Sequence, residues 1–516
     1  MAAALELQRL WHMRVFSFFF DDHLPQKMEV EYHARFQIPT FIILGLPAPE
    51  IQESRERIMA AFQAADWDFP KKKVIVNLVP SSVKKSGTGH DLAIALKIRS
   101  ESETLDWPES ILAWGELGLD GTIKPAGRMA ALLELCLNPK GLIEAQALIL
   151  CSEDAAALRQ LLAWRKSAGL QFKSSFSIFV ADHLTELMSN LKPVPLTEDQ
   201  CFISSPSSLS SALLPLSAET ERLLKISLIG KHHVLLLGPK GVGKSESLHW
   251  FRAASPHPEP QQVWTRLLNS ESRQLPFTFD APVRRVHSQV KPSHLLGSFG
   301  PKGYQAGELA LAHGGQFIAD EFMEWARDSK ECLRQPLQDK RATLTRVKGA
   351  IETECDFQLI ATGNLCPCGG LPAQFRSYDS EKRYPCRCRA PEVQKYLQKL
   401  SGPILDRIDL VFVMTATKAR KDTISLSGLQ KTIQESRCFA KTKFSALPSE
   451  LTPAWLEENL VPQSASIEKL LKPLPSLRSR HKVLRVARSI QALEQDAELK
   501  DVHVFEAITY RISALA

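Results

Sequence analysis

Short apolar runs, each followed by polar or glycine-rich turns, recur through the middle of the chain. They are His233–Leu237, Gln316–Ala319 and Phe357–Ala361. Runs of this length, bounded by such turns, are typical of strands buried in a parallel sheet. The pattern of Glu246–Phe251, after the first run, fits a helix. The middle of the chain is therefore predicted to be α/β with a parallel sheet.

The two flanking parts of the chain have other patterns. Before residue 190, strand patterns at Val74–Leu78 and Ala113–Leu119 alternate with a helical pattern at Ser54–Ala65. After Thr415 helical patterns dominate, as in Ile467–Leu493. A stretch rich in proline and serine is typical of a linker between the first and middle parts. The predicted organisation is a domain over 1–190, a linker over 191–212, an α/β core over 213–415 and a helical domain over 416–516.

Composition agrees with several globular domains. At 516 residues the chain is too long for one hydrophobic core, and its 44% hydrophobic and 23% charged residues are ordinary for such domains. No apolar run is long enough to cross a bilayer, and the patch Val15–Phe20 is followed by Asp21 and Asp22. We therefore expect a cytoplasmic protein without a membrane partner. The net charge of +7 permits a nucleic-acid partner, although a solvated basic surface explains it equally well.

The first apolar run leads directly into a phosphate-binding pattern. Residues Gly238–Ser245 form a complete G-x-x-x-x-G-K-[ST] sequence. Its glycines let backbone N–H groups face the phosphates of ATP, Lys244 can reach the β- and γ-phosphates, and Ser245 can ligate Mg²⁺. The positive end of the following helix would favour the anion. The predicted nucleotide-binding residues are Gly238, Pro239, Lys240, Gly241, Val242, Gly243, Lys244 and Ser245.

Polar residues after the other two runs would complete a nucleotide-hydrolysing site. The second run ends in Asp320 and Glu321, about 75 residues after the phosphate loop. Asp320 would hold Mg²⁺, usually through water, and Glu321 would polarise the attacking water. Asn364 follows the third run, where a polar residue could sense the γ-phosphate. Taken alone, an acidic pair can also cap a helix and an asparagine can form a turn.

With these motifs, the middle and end of the chain resemble the magnesium-chelatase-type AAA+ family, and within it the ComM-like (YifB-like) branch. The matching segments are Gly307–His313, Asp320–Glu321, Leu400–Leu410, Ser476–Arg478 and Val486–Arg488. The resemblance implies an AAA+ ATPase domain with a doubly wound parallel sheet and a C-terminal helical lid. It also implies that Arg407 is an arginine finger reaching a neighbouring subunit's nucleotide. Arg478 would be a sensor arginine contacting the γ-phosphate in its own subunit. From the residues alone, Arg407 could equally belong to a surface ion-pair cluster.

The first 190 residues resemble the α+β Lon-protease-like domain. The landmarks are Ile43–Pro47, Glu53–Arg57, Val76–Pro80 and Gly115–Gly121. A Lon protease uses a Ser–Lys dyad, but this chain has Gly87–Asp91 where the serine would fall and Arg128–Ala131 where the lysine would fall. Without a nucleophile and a base at these places, peptide hydrolysis has no covalent route. The domain is therefore expected to be non-catalytic.

Four of the ten cysteines form two Cys-x-Cys pairs with 17 residues between them: Cys366 with Cys368, and Cys386 with Cys388. Two such pairs suit tetrahedral Zn²⁺, although one-residue spacing within each pair is tighter than usual. Disulfides are the main alternative, and a cytoplasmic setting argues against them. Because ComM-like proteins often carry such an insert, we expect a zinc-binding insert over 364–390. Its basic residues could grip DNA phosphates or could form a solvated rim.

Two inserts could face the pore of a ring. Residues 342–353 alternate polar and apolar around Gly349, which is a hairpin signal. The other insert, His294–Glu308, lies between the two nucleotide motifs. Plain surface hairpins explain their basic residues nearly as well as DNA binding does. The candidate DNA contacts are Lys302, Arg346 and Lys348.

The resemblance implies a hexameric, ATP-driven DNA translocase or helicase. Such a motor would promote branch migration during integration of incoming DNA, in natural transformation and recombination. One alternative is a magnesium-chelatase-like motor subunit acting on a protein partner. Another is a regulatory ATP-binding scaffold without DNA activity. Stimulation of ATP hydrolysis by DNA, by a protein partner or by neither would separate the three.

Overall fold

The computed structural model describes residues 13–21, 24–83, 85, 87–103, 107–137, 145–170, 176–188, 193, 215–269, 279–300, 303–346, 349–371, 386–415, 425–459 and 465–512. The chain divides into two compact units. The first comprises Met1–Ser205 with two later segments, Trp264–Phe279 and Phe299–Gln305, and the second comprises the rest. The predicted linker over 191–212 lies outside the described residues apart from Pro193. The predicted domain boundaries stay predictions.

The first unit contains a mixed seven-stranded sheet. Its strands and a short two-residue pair are β1 (Arg14–Asp21), β2 (Leu24–Arg35), β3 (Thr40–Leu44), β4 (Lys73–Val79), β5 (Ser110–Ala113), β6 (Glu116–Leu117), β7 (Ile123–Lys124), β8 (Ala147–Leu150) and β9 (Ser177–Val180). The sheet order is β3-β4-β2-β1-β5-β8-β9, with β6 and β7 paired separately. The pairs β4–β2 and β2–β1 are antiparallel and the other neighbours in the sheet are parallel. Helices of this unit are α1 (Pro49–Ala64), α2 (Asp91–Ser100), α3 (Met129–Leu137) and α4 (Ser152–Ser167), with a 3₁₀ helix at Leu184–Met188.

The local predictions in this unit are confirmed except for one. Strand β4 includes Val74–Leu78, with alternate residues buried, and helix α1 covers most of Ser54–Ala65. The predicted strand Ala113–Leu119 is wrong, because β5 ends at Ala113. Beyond it, the Gly115 N–H donates to the carbonyl oxygen of Gly89 at 2.9 Å. The chain then enters the separate pair β6–β7, so the run Ala113–Leu119 contains the end of β5 and the whole of β6.

The second unit contains the predicted parallel sheet. Its strands are β10 (Val234–Leu237), β11 (Val283–Val286), β14 (Gln316–Ala319), β17 (Gln358–Gly363) and β18 (Leu410–Val413). They lie in the order β11-β14-β17-β10-β18, and all neighbours are parallel. Every residue of β10, β14 and β17 is buried, as expected for strands covered on both faces. Helices that start within residues 218–402 are α5 (Ala218–Gly230), α6 (Lys244–Ala253), α7 (Pro260–Asn269), α8 (Pro292–Leu296), α9 (Glu308–Leu311), α10 (Arg327–Glu331), α11 (Arg334–Asp339), α12 (Ala390–Leu397) and α13 (Gly402–Leu405).

Helices dominate the end of the chain, as predicted. They are α14 (Leu426–Phe444), α15 (Pro453–Glu458), α16 (Ala465–Leu471), α17 (Leu477–Glu494) and α18 (Asp501–Ile512), with short 3₁₀ helices at Phe322–Glu324 and Pro448–Glu450. Apolar residues of α14, α17 and α18 share one hydrophobic core with β10.

A buried ion pair also links α17 to the sheet. Lys482 Nζ lies 2.7 Å from Asp409 Oδ1, and both side chains are less than a tenth exposed. The other oxygen of Asp409 accepts the backbone N–H of His233 at 2.9 Å, immediately before β10. Burial alone would raise the pKa of Asp409, but the charge of Lys482 holds it well below its usual range. Helix α17 is therefore tied through Asp409 to the start of β10.

Two hairpins correspond to the predicted inserts. Strands β12 (Gly297–Gly300) and β13 (Gly303–Ala306) form one, and β15 (Arg341–Arg346) and β16 (Gly349–Glu354) form the other. The hairpin predicted over 342–353 is thus confirmed. Lys302 and Lys348 lie outside the described residues, and Arg346 is described only as backbone of β15. Among the described residues, no helix is long and apolar enough to cross a membrane.

Candidate functional site

Three neighbouring strands end at the same edge of the parallel sheet. The phosphate-binding sequence begins at Gly238 directly after β10, Asn364 follows β17, and Asp320 follows β14. Because these strands are adjacent and parallel, their carboxyl ends meet. Ligands of open α/β sheets bind at this edge. The structure therefore brings together the sequence motifs that were predicted separately.

The phosphate loop has the backbone shape that its glycines permit. Gly241 and Gly243 have φ of +78° and +96°, a region that side chains with a Cβ rarely adopt. Helix α6 begins at the next residue, Lys244, so its unpaired N–H groups lie at the end of the loop. Backbone N–H groups in such a turn, with a helix N-terminus behind them, form a concave site for anions.

Lys244 lies at the centre of this edge. Its ammonium donates to the carbonyl oxygens of Gly238 at 2.6 Å and Pro239 at 2.9 Å, and to Asn364 Oδ1 at 3.0 Å. Burial lowers the pKa of Lys244 to about 8, although Asp320 and Glu321 favour its charged form. Lys244, the predicted phosphate ligand, and Asn364, the predicted sensor residue, are thus in direct contact. A bound phosphate would supply a negative charge to balance that of the Lys244 ammonium.

The two acids at the end of β14 have different surroundings. Asp320 Oδ1 accepts the hydroxyl of Thr362 at 2.6 Å, and Asp320 also pairs with Arg285. Burial alone would raise the pKa of Asp320, but Arg285 and Thr362 lower it below its usual value. Glu321 is exposed, and its backbone, at φ +49°, donates to the Thr362 hydroxyl at 3.1 Å. Because Asp320 is kept ionised, it is suited to bind a cation. Glu321, beside it, is exposed and therefore accessible to water.

Thr362 and Arg285 were missed by the sequence reasoning. Arg285 belongs to β11 and Thr362 to β17, the strands on either side of β14. Neither has a motif of its own, and only the strand order places both beside Asp320. For Thr362 the available signal was that it directly follows the predicted strand Phe357–Ala361, whereas no strand was predicted around Arg285.

Arg407 and Arg478 lie at the opposite edge of the same sheet. Both line a cleft of about 310 Å³. Arg407 donates to the carbonyl oxygens of Arg334 and Pro403, each at 2.8 Å, and to Gln338 Oε1 at 2.6 Å. Burial and the charge of Arg478 lower the pKa of Arg407, and Arg478 itself is exposed. The cleft is also lined by the residues that immediately precede β10, β17 and β18, namely His233, Phe357 and Asp409.

In this structure Arg478 does not lie beside its own phosphate loop, and the prediction that it contacts the γ-phosphate in its own subunit stays a prediction. The phosphate loop follows the carboxyl end of β10, whereas the cleft of Arg478 is lined by residues at the amino ends of the strands. Four strand residues separate the two edges by about 13 Å, and the sheet lies between them. The resemblance indicated the residue but not the side of the sheet, which depends on how α17 packs. Arg478 therefore shares the surface of Arg407, away from the phosphate loop.

The four clustered cysteines converge. Their Sγ atoms all lie within 4.8 Å of one another, and all four are free thiols. Cys366 Sγ lies 3.4 Å from Cys368 Sγ and 3.7 Å from Cys386 Sγ. Four sulfurs around a tetrahedral Zn²⁺ at about 2.3 Å would be about 3.8 Å apart. Backbone N–H groups of Arg387 and Gly370 lower the pKa of Cys368 to about 6, whereas burial raises the pKa of Cys386. The cluster is compatible with a structural zinc site.

The region compared with a Lon protease contains other pairings. The Thr88 hydroxyl is hydrogen-bonded to the carboxylate of Glu116, and the guanidinium of Arg128 lies 4.2 Å from the centre of the Phe20 ring. These residues stand where a nucleophile and a base would be needed. The prediction that the unit has no protease activity stays a prediction.

Comparison with protein families matches most of the chain. The family described as "Magnesium chelatase, subunit ChlI" matches residues 216–422. "Subunit ChlI of Mg-chelatase" matches residues 30–143, and "Magnesium chelatase, subunit ChlI C-terminal" matches residues 425–511. The match over 30–143 is to a chelatase family, so the Lon-like character of the first unit rests on the resemblance alone.

Similar proteins extend over nearly the whole chain. The chain is 26% identical to the YifB protein of Escherichia coli (strain K12) over 506 residues, covering 93% of both chains. It is 26% identical over 520 residues to the competence protein ComM of Haemophilus influenzae, covering 93% of this chain and 94% of ComM. A probable DNA helicase of rice, MCM9, is 27% identical over 192 residues, which are 37% of this chain and 23% of that protein. The phosphate loop and the paired acids lie within the first family match, and the chain belongs to the magnesium-chelatase-type AAA+ family, among the proteins that resemble ComM and YifB.

Proposed function

We propose that this chain is an ATP-hydrolysing motor. The observation that carries the proposal is the meeting of Lys244, Asn364 and Asp320 at the carboxyl edge of one parallel sheet. ATP would bind along Gly238–Ser245, with Mg²⁺ held by Ser245 and Asp320. Glu321 would polarise the attacking water, and Asn364, bonded to Lys244, would respond to the γ-phosphate.

The opposite edge supports assembly into a ring. Arg407 and Arg478 share a cleft on the side away from their own phosphate loop. Arginines that stabilise the transferring phosphoryl group must touch it, so these two would act on the nucleotide of a neighbouring subunit. Each subunit then offers a nucleotide at one edge and two arginines at the other. Such head-to-tail contacts close into a ring, for which we propose six copies.

DNA is the proposed substrate of the motor. Two relatives carry names that point to it, a competence protein and a probable DNA helicase. The hairpins β12–β13 and β15–β16 are the proposed pore elements, with Lys302, Arg346 and Lys348 as DNA contacts. We infer a DNA translocase or helicase in the cytoplasm that promotes branch migration during integration of incoming DNA.

A chelatase-like motor subunit is the second candidate, because the matched families are described as magnesium-chelatase subunits. In that case ATP hydrolysis would respond to a protein partner and not to DNA. The two candidates share the nucleotide site and differ in what the ring acts on.

Branched DNA is expected to stimulate ATP hydrolysis and to be remodelled. The measurement is phosphate release and strand exchange on a four-way junction and a D-loop, with ATP and with a non-hydrolysable analogue.

Arg346→Ala with Lys348→Ala should flatten the dependence of DNA binding on salt concentration, because fewer phosphates are neutralised. If no DNA changes the rate of ATP hydrolysis and the four-way junction and D-loop are not remodelled, the chelatase-like candidate is favoured.

Zinc is proposed as the metal of the cysteine cluster. The purified protein should contain about one zinc ion per chain, as expected for a four-cysteine site. Replacing Cys386 and Cys388 with serine should remove it, whereas Cys438→Ser, at an exposed cysteine outside the cluster, should not. The measurement is metal content by mass spectrometry. Equal zinc in all three proteins would exclude this site.

A further inference from the structure

The turn that carries the first cysteine pair also forms one wall of the phosphate loop. The backbone N–H of Lys240, inside the loop, donates to the carbonyl oxygen of Gly369 at 3.0 Å. Gly369 follows Cys368 directly and is buried. Its φ is +74°, which favours glycine at this position. One turn therefore holds both a cysteine pair and a hydrogen bond to the loop.

The fit between the turn and the loop is close. A Cβ added to Gly369 would lie 2.8 Å from Cγ, 3.0 Å from Cε and 3.1 Å from Cδ of Lys240. The stem of the Lys240 side chain thus packs directly over the glycine. A larger residue at Gly369 would displace the side chain of Lys240 and would strain its own backbone.

The same short segment contacts the loop at its other end. Asn364, two residues before Cys366, accepts Lys244 Nζ at 3.0 Å, and the N–H of Gly238 donates to the carbonyl of Gly363 at 3.2 Å. Residues 363–369 therefore contact the beginning, the middle and the end of the phosphate loop. As long as residues 363–369 keep their conformation, these three contacts fix the position of the phosphate loop relative to them.

The cysteine cluster maintains that shape. Within the turn, the N–H of Gly369 donates to the carbonyl of Cys366 at 3.1 Å, and the N–H of Leu371 donates to Cys366 Sγ at 3.4 Å. Cys386 and Cys388 come from 18 or more residues later in the chain, and in the described residues they meet the turn through the converged sulfurs and the backbone N–H of Arg387, which acts on Cys368. A soft divalent cation such as Zn²⁺ would join the two pairs, and four converged thiolates without it would repel each other.

We propose that metal binding by the four cysteines sets the affinity of the phosphate loop for ATP, with Gly369 as the positioning residue between them. The inference rests on the proposed ATP site. Loss of the metal frees the turn, the turn no longer holds the N–H of Lys240, and the loop binds phosphate less tightly. The cluster is then a condition for nucleotide binding and not only a local staple.

The test compares ATP affinity with metal content in the full-length protein. Cys386→Ser with Cys388→Ser leaves residues 363–369 unaltered, and should lose zinc and bind a fluorescent ATP analogue about tenfold more weakly. Gly369→Ala should weaken ATP binding to a similar extent while keeping its zinc. Cys438→Ser, at an exposed cysteine outside the cluster and away from this turn, is the matched control and should change neither quantity. Wild-type protein dialysed against a chelator and returned to Mg²⁺ buffer should regain ATP affinity only when Zn²⁺ is added.

Two outcomes separate this inference from the proposed function. Wild-type affinity for ATP in the zinc-free serine variant overturns the inference, while loss of binding in Lys244→Ala would still support the ATP site. If the wild-type protein binds no ATP at all, the proposed function fails first. If Gly369→Ala loses zinc as well as ATP affinity, the ATP affinity of the Cys386→Ser, Cys388→Ser variant decides, because residues 363–369 are unaltered in that variant.

Discussion

Replacing Lys244 with alanine should reduce ATP hydrolysis by about 10²-fold or more, because it removes the ammonium that contacts both the phosphate loop and Asn364. In the structure this group contacts the carbonyls of Gly238 and Pro239 and the amide of Asn364. Burial lowers its pKa to about 8, so its charge is incompletely balanced until phosphate arrives. Phosphate release and equilibrium ATP binding are the measurements, and both should fall.

The matched control is Lys431→Ala, at a lysine whose side chain is 77% exposed on α14. Removing that charge should leave ATP hydrolysis and binding unchanged. Hydrolysis at the wild-type rate in Lys244→Ala would mean that the nucleotide binds elsewhere. The assignments of Asp320, Glu321 and Asn364 would then lose their basis, since each depends on the phosphate loop.

Arg407→Ala and Arg478→Ala should each abolish hydrolysis alone and regain it when mixed with Lys244→Ala. An arginine finger contributes about 10³-fold or more to hydrolysis, and both arginines lie on the surface away from their own phosphate loop. A mixed ring contains boundaries where the intact loop of one variant meets the intact arginines of the other. Phosphate release from equimolar mixtures is the measurement.

The mixture with Arg478→Ala is decisive for the position of that residue. If Arg478 served its own subunit's nucleotide, every subunit of that mixture would lack either the lysine or the arginine it needs, and no activity would return. If ATP hydrolysis returns when Lys244→Ala is mixed with Arg407→Ala but not when it is mixed with Arg478→Ala, Arg478 does not act on the nucleotide of a neighbouring subunit. Arg55→Ala, at a half-exposed arginine of the first unit, should be active without mixing.

The phosphate edge could be predicted from sequence because its signals are local. Gly238–Ser245 and the acids after Ala319 are continuous motifs, and each follows a short apolar run that the structure confirms as a buried strand. A strand followed by a glycine-rich turn and a helix has few other solutions. The contacts of Lys244 with Asn364 follow once the strands are adjacent.

Other features depend on pairings between distant segments and gave no such signal. Arg285 reaches Asp320 only because β11 lies next to β14. The edge at which Arg478 lies depends on the packing of α17, which the resemblance did not indicate. Arg407 lies shortly before β18, a strand parallel to β10 that was not among the predicted strands, so its edge also had to come from the structure. The run Ala113–Leu119 misled because apolar periodicity does not show where a strand ends.

The buried pair of Lys482 and Asp409 limits how a subunit can deform. Breaking such a pair by losing one partner costs about 3–5 kcal/mol, because an uncompensated charge stays behind in the interior. Helix α17 therefore cannot swing away from the sheet as a loosely attached flap during each catalytic cycle. In an assembled ring, the movement that nucleotide turnover drives should therefore be concentrated at the boundaries between neighbours, with α17 and the parallel sheet of each subunit moving together.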